Sequence, residues 1–416
     1  MYTASKKNFM VECKNMNKID IYVVIAFALG ILLLLPAYSS SSSTTNVTIS
    51  ASGVVQYSAS GPSTPINKAA VVYGAGTLTS GQISYIATHF TLLDTGFDSM
   101  SSSQAIKSEN PNMIILGYED LIGVYPGGDN WTQINSNESW FAHDANGSRI
   151  QNTAWGWYLM NITNLGWKQF YVSHANSQMN NTVYNGVFAD DCWNLMTAPE
   201  KKFNRIVPAS LVSAWHQDMI VFLQYIKANL LPGKMLIVNT DDWADYDYID
   251  VADGMMIEGY EHAPWSLGTA LGGGPSIDVL ALESAAGKIV WAESGTNTTG
   301  MTQTQIDTML EYCYCSFLVG MNGPKTYWGW NNGSSYNPFQ YSYYPIMDTN
   351  IGQPTDAYYS SQNVYMRDFT GGKVLFNPSA NSYAVSLGGN YQLLNGTVVS
   401  SIGLAPWSGE ILLSLT

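Results

Sequence analysis

The segment Asn185-Gly186-Val187-Phe188-Ala189-Asp190-Asp191 is a short apolar run that ends on two carboxylates. A strand buried on both faces reads as continuous apolar residues, which is the mark of a parallel sheet covered by helices. The same texture recurs on either side of it. Ala69-Ala70-Val71-Val72-Tyr73, Thr91-Leu92-Leu93-Asp94 and Met113-Ile114-Ile115-Leu116-Gly117-Tyr118 precede it. Met235-Leu236-Ile237-Val238-Asn239, Gly254-Met255-Met256-Ile257-Glu258, Lys288-Ile289-Val290-Trp291-Ala292-Glu293 and Lys325-Thr326-Tyr327-Trp328-Gly329-Trp330 follow. Between them lie helical patterns, such as a helix capped by Ser80 and the stretch from Ala209 to Asn229. Eight strands alternating with helices over residues 69–350 predict an α/β fold, a (β/α)8 TIM barrel. An open doubly wound sheet is the competing architecture, but no Gly-x-Gly-x-x-Gly follows the first strand and no Walker loop is present.

Past Pro354 the pattern changes to short strands between Gly, Asn and Ser turns: Val364–Arg367, Val374–Phe376, Tyr383–Val385, Tyr391–Leu393 and Ile411–Leu413. This predicts a small C-terminal antiparallel β-sandwich domain over 355–416, with too little core to stand alone. At the other end, Lys6, Lys7, Lys14 and Lys18 precede an apolar run from Ile21 to Leu35. That layout predicts a secretory signal or an uncleaved signal anchor over 1–38, followed by a Ser/Thr/Gly-rich linker over 39–68. The protein is then expected to be secreted or displayed at the cell surface, with a single N-terminal transmembrane helix if the leader is retained. Nine Asn-x-Ser/Thr sequons, at Asn46, Asn130, Asn137, Asn146, Asn161, Asn180, Asn297, Asn332 and Asn395, agree with export as a glycoprotein.

Composition narrows the partners. The 416 residues include 17 Lys and Arg against 31 Asp and Glu, a net charge of −14, which argues against nucleic acid. Charged residues are only 12% of the chain and aromatics 13%, including 13 Trp and 27 Tyr, a surface chemistry suited to uncharged polar ligands such as sugars. Cys192, Cys313 and Cys315 beyond the leader make no disulfide framework and no zinc pattern. No metal and no cofactor is expected. A Ser-His-Asp hydrolase would need a Gly-x-Ser-x-Gly elbow, and the chain has none.

Acidic residues fall where the apolar runs end: Asp94, Glu119 beside Tyr118, Asp190 and Asp191, Glu258, and Glu293. All strand C-termini of a barrel open onto one face, so these carboxylates converge there. Convergent carboxylates drive one another's pKa values apart, as one acid and one nucleophile or base require. Asp190, Asp191, Glu258 and Glu293 are the catalytic candidates. Because consecutive strand residues point to opposite faces, only one of Asp190 and Asp191 is expected to reach the site. Tyr73, Asp94, Tyr118, Trp193, Asn239, Tyr260, Trp328 and Trp330 are the candidate substrate-binding residues, with Trp265 nearby in sequence.

The runs Asn110–Tyr118, Gly186–Asp191, Ile237–Asn239 and Gly254–Glu258, with Trp140-Phe141, Asp144–Gly147 and Arg367–Pro378, resemble glycoside hydrolases of the α-galactosidase-like superfamily. Among these the chain is similar to glycoside hydrolase family 114 and to hypothetical glycosyl hydrolase family 15, over about residues 69–416. The resemblance implies a barrel enzyme with its nucleophile at the end of strand four, Asp190 or Asp191, and its acid/base at the end of strand six, Glu258. The expected function is an extracellular glycoside hydrolase that cleaves a glycosidic bond in a polysaccharide or glycan by a two-carboxylate mechanism. The rival reading is a non-catalytic cell-surface protein that binds carbohydrate or serves a structural role on the same scaffold.

Overall fold

The computed structural model describes residues 46–49, 55–58, 66–73, 78–193, 203–240, 248–261, 275–295, 298–331 and 343–415. The leader over 1–38, most of the linker, Trp265 and the sequons at Asn297 and Asn332 lie outside them. Among the described residues no helix is long and apolar enough to cross a membrane. A short antiparallel hairpin, β1 (Asn46–Ile49) and β2 (Val55–Ser58), comes first.

Eight parallel strands close into a barrel: β3 (Asn67–Val72), β4 (Leu92–Gly96), β5 (Ile114–Asp120), β8 (Gly186–Asp190), β9 (Met235–Asn239), β10 (Gly254–Glu258), β11 (Ile289–Gly295) and β12 (Thr326–Asn331). They are the eight apolar runs of the sequence, taken in order around the barrel, and β12 returns to pair with β3. The interior holds the residues of one parity, among them Tyr118, Phe188 and Trp291, whose rings meet at 6.4 and 5.8 Å. Glycines open strands β8 and β10 because the neighbouring backbone leaves no room. A Cβ on Gly186 would sit 2.3 Å from the Met235 carbonyl oxygen, and one on Gly254 equally close to that of Ile289.

The helices α1 (Ser80–His89), α2 (Met100–Glu109), α4 (Leu165–Met179), α5 (Ala209–Asn229), α6 (Pro275–Ala285) and α7 (Gln303–Gly320) alternate with the strands. The cap of α1 is Thr79, one residue before the Ser80 expected from sequence; its hydroxyl takes the Gln82 amide while the Gln82 side chain returns to the Thr79 N–H. Between β5 and α4 the chain makes a long excursion with a short helix, α3 (Trp131–Asn135), and a small antiparallel pair, β6 (Gly123–Val124) and β7 (Tyr158–Leu159). Arg149 stacks on Phe141, 3.6 Å from its ring, and pairs with Glu138, which fastens that excursion to itself.

The C-terminal β structure is one curled six-stranded antiparallel sheet, in the order β13 (Tyr359–Ser361), β14 (Val364–Phe369), β15 (Gly372–Asn377), β18 (Ser408–Ser414), β16 (Tyr383–Leu393), β17 (Val398–Leu404). It packs on α7, which is buried almost throughout its second half. Tyr312 meets Phe376 at 4.9 Å, and Arg367 donates from Nη1 to the Val319 and Met321 carbonyls at the end of α7. Barrel and sheet therefore share a core, and both belong to one compact unit. Cys192, Cys313 and Cys315 are buried thiols outside any disulfide among the described residues.

Candidate active site

The barrel delivers inward-facing residues to its C-terminal rim, and three neighbouring strands place the central ones. Asp190 ends β8, Asn239 ends β9 and Glu258 ends β10. Asn239 donates from Nδ2 to Asp190 Oδ1 at 2.8 Å and to Glu258 Oε2 at 2.7 Å. The two bonds laid end to end keep the nearest oxygens of these carboxyl groups within about 5.5 Å of each other. Tyr118, on β5, donates its hydroxyl to the other oxygen of Asp190 at 2.7 Å. Both oxygens of Asp190 thus receive a side-chain donor, the arrangement that favours an ionised carboxylate. Glu293 stands beside Glu258 in register and accepts a 3.3 Å bond from the Gly259 amide.

Asp190 and Asp191 both line the cleft, contrary to the alternation argument. Strand β8 stops at Asp190, and Asp191 takes a left-handed conformation with φ of 58°, so strand parity no longer governs it. The Asp191 carboxylate accepts from the Trp193 indole at 2.7 Å.

The cleft holds about 1050 Å³, at the upper end of ligand pockets. One wall comes from the excursion after β5, which contributes Gly123, Tyr125, Asp129, Trp155 and Trp157. Tyr125 is 45% and Trp155 58% exposed, large rings held open to solvent. Among the described residues, Asp98, Glu119, Asp120, Asp129, Asp190, Asp191, Glu258 and Glu293 line the cleft, and no Lys or Arg does. Glu119 pairs with His174 on α4 at 2.6 Å and, through that bond, raises the imidazole above its usual range. No group of three or more His, Cys, Asp or Glu is placed to hold a metal ion among the described residues.

Several candidates read from sequence stand elsewhere. Trp328 and Trp330 are buried with the outward parity of β12; Trp328 packs at a tilt against Tyr314 and Phe317 of α7, at 4.8 and 6.3 Å. It is Asn331, on the inward face, that reaches the cleft from this strand. Tyr260 follows the end of β10 and turns outward to Ser316, 3.1 Å away. Asp94 points inward but one layer below the rim, paired with Leu116 in register, fully buried and capped by the Tyr73 hydroxyl. Burial pushes its carboxyl well above the usual range, against the pull of that hydrogen bond. Tyr73, Tyr118, Trp193 and Asn239 do line the cleft.

Asp120 was not among the candidates. It is the register partner of Asp190 on the adjacent strand and lines the cleft beside it. Burial pushes it up to about 7, with the charge of Asp190 adding to the effect. Its place two residues after Tyr118, on the same face, was the available signal.

Comparison with known proteins bears on the family and the fold. Residues 107–373 match the model of a family described as hypothetical glycosyl hydrolase family 15. Among solved structures, the noncanonic maltogenic α-amylase AmyB from Thermotoga neapolitana is 13% identical, with 84% of this chain and 99% of that one covered and a TM-score of 0.51. The glycoside hydrolase domain of PelA from Pseudomonas aeruginosa is 14% identical over 65% of this chain and 96% of that one, at a TM-score of 0.45. An α-amylase from Geobacillus thermoleovorans is 12% identical over 84% and 99%, at 0.48. At such identities the likeness to AmyB is one of fold. A search of curated proteins gave no match.

Proposed function

The chain belongs to hypothetical glycosyl hydrolase family 15, and we propose that it hydrolyses a glycosidic bond with retention of configuration, using Asp190 as nucleophile and Glu258 as acid/base. The observation that carries this reading is the Asn239 amide shared between the two carboxyl groups. Retaining enzymes hold their carboxyl groups ~5–5.5 Å apart, whereas inverting enzymes need ~6.5–9.5 Å to admit a water. A bridge of two hydrogen bonds favours the shorter spacing. In the first step Asp190 Oδ attacks the anomeric carbon as the glycosidic C–O bond breaks, and Glu258 gives its proton to the departing oxygen. In the second, Glu258 takes a proton from water as that water displaces Asp190 and frees the sugar. Tyr118 and Asn239 fix the attacking carboxylate. Asp191 and Glu293 bind sugar hydroxyls or tune these two groups.

The substrate is a polymer of uncharged or positively charged sugars. Eight carboxylates without a described Lys or Arg in the lining repel uronate and sulfate. The cleft has room for several sugars, and Trp155 and Tyr125 offer flat faces for stacking. The open cleft also weighs against the non-catalytic reading, in which side chains would fill the site. We place the enzyme outside the cell on the strength of the Lys-flanked run Ile21–Leu35, which lies outside the described residues. Two experiments test this. A screen of polysaccharides and aryl glycosides against wild type, Asp190→Asn and Glu258→Gln should show turnover lost by several orders of magnitude in both variants. Near-wild-type kcat in both would refute the assignment. Fractionation and intact mass of the mature protein test export, and recovery of the whole protein in the cytosol would refute it.

A further inference from the structure

The pair formed by Asp120 and Asp190 goes beyond these roles. Parallel strands β5 and β8 lie one hydrogen-bonded spacing apart, about 4.8 Å, and put the two residues directly opposite on the inward face. Their surroundings differ. Asp190 receives the Tyr118 hydroxyl and the Asn239 amide. Asp120 Oδ1 accepts the backbone N–H groups of Ile122 at 2.9 Å and Gly123 at 2.6 Å. Its Oδ2 is buried with no hydrogen-bond partner among the described residues. That oxygen lies in the angle between Gly123 and Trp157, where a Cβ on Gly123 would meet it at 2.3 Å and the indole at 2.8 Å.

Resting on the assignment of Asp190 as nucleophile, we propose that Asp120 is its positioning partner: the two carboxyl groups act as one unit with a single negative charge, the proton on Asp120 and the charge on Asp190. Two like charges this close in a partly desolvated wall cannot both persist, so one group keeps its proton. An oxygen desolvated against an indole is the poorer seat for the charge. The two backbone amides at Oδ1 pull toward ionisation of Asp120 and are outweighed by burial. Among the described residues, the other titratable groups facing the pair supply no counter-charge on the Asp120 side. Glu119 is occupied with His174 on α4; Tyr118 and Tyr171 are phenols pushed upward first by burial and then by nearby carboxylates, which for Tyr171 are Glu119 and Asp120. Loss of the Asp120 proton near neutrality places a second charge beside the nucleophile and loads the turn that begins the cleft wall.

The test separates this claim from the hydrolase reading. Protein labelled with [γ-¹³C]aspartate is titrated by NMR in the absence of substrate. The expected result includes a resonance with a midpoint near 7 that Asp120→Asn removes. In Asp190→Asn that midpoint falls by about one pH unit, as strongly coupled sites require. Absence of such a resonance, or an Asp120 midpoint that ignores Asp190→Asn, overturns the proposal whether or not any glycoside is turned over. With a glycoside found in the screen, the alkaline limb of kcat/KM should lie near pH 7 in wild type. Asp120→Asn keeps an acceptor for both backbone amides, so it should move that limb up by more than one unit. An unmoved limb overturns the proposal.

Discussion

Replacing Asn239 by Ala removes a group that touches both proposed catalytic carboxyls. In the working state one acceptor is ionised and the other protonated. The bond to the charged partner contributes about 1.5–3 kcal/mol and that to the neutral partner about 0.5–1.5 kcal/mol. Part of this is already present before the transition state. A loss of about 3 kcal/mol remains, a fall of roughly a hundredfold in kcat/KM. A second effect follows from charge. With no donor between them, two ionised carboxylates about 5.5 Å apart repel by about 3 kcal/mol at an effective dielectric of about 20. One of them then titrates higher, and the acid limb of the pH profile shifts upward in the variant. The Asn239 backbone carbonyl still accepts the Cys192 amide at 2.9 Å, so the strand end keeps its main-chain tie. Steady-state kinetics on the glycoside found by screening, with a thermal melt to confirm folding, reads both effects. A folded Asn239→Ala protein within about fivefold of wild type, with an unshifted acid limb, would refute the bridging role.

Three further outcomes follow. Glu311 on α7 and Glu410 on β18 are both pushed by burial up to about 7, with Asp307 adding for the first and Glu311 for the second. A carboxyl raised in the folded state gives stability that is full below the unfolded value of 4.5 and is lost as pH climbs through about 7. Allowing for partial exposure, Glu311→Gln should recover about 1–2 kcal/mol at pH 8 relative to pH 4.5, and denaturant unfolding curves parallel to wild type at both pH values would refute this. Trp155→Ala should raise KM for a polymeric substrate about tenfold and leave a short aryl glycoside unaffected, since a stacked ring contributes about 1–2 kcal/mol; equal effects on both substrates would remove Trp155 from the distal subsites. Trp328→Ala should cost about 3–5 kcal/mol of stability and leave KM unchanged in the protein that remains folded, because the ring is buried against α7. A KM effect as large as that of Trp155→Ala would return Trp328 to the cleft.

The barrel could be read from sequence because strands buried on both faces are unbroken apolar runs; β9 and β10 end on the residue that closes the run, while β4, β5 and β11 continue two residues beyond it. Asp190, Glu258 and Glu293 were visible for the same reason, as charges closing such runs. What the runs conceal is parity. Trp330 lies one residue and Trp328 three residues from the end of β12, but on the face turned to the helices. Asp120 was missed because the run reads as closing at Tyr118-Glu119, whereas β5 continues to Asp120. Asp191 escaped the alternation rule by leaving the strand. In the C-terminal sheet, β17 (Val398–Leu404) mixes exposed Val and Ser without a clean alternation and was missed. Strand β16 read as two pieces because Gly388, at φ of 71°, and a register shift interrupt it.

The central claim is that Asp190 and Glu258 flank one glycosidic bond across Asn239, close enough for direct attack on the sugar. Proton NMR of a hydrolysis in progress, read before mutarotation sets in, tests it most directly. The first sugar released should carry the anomeric configuration of the substrate. A first product of inverted configuration would contradict direct attack by Asp190, because inversion puts a water and not a carboxylate on the anomeric carbon.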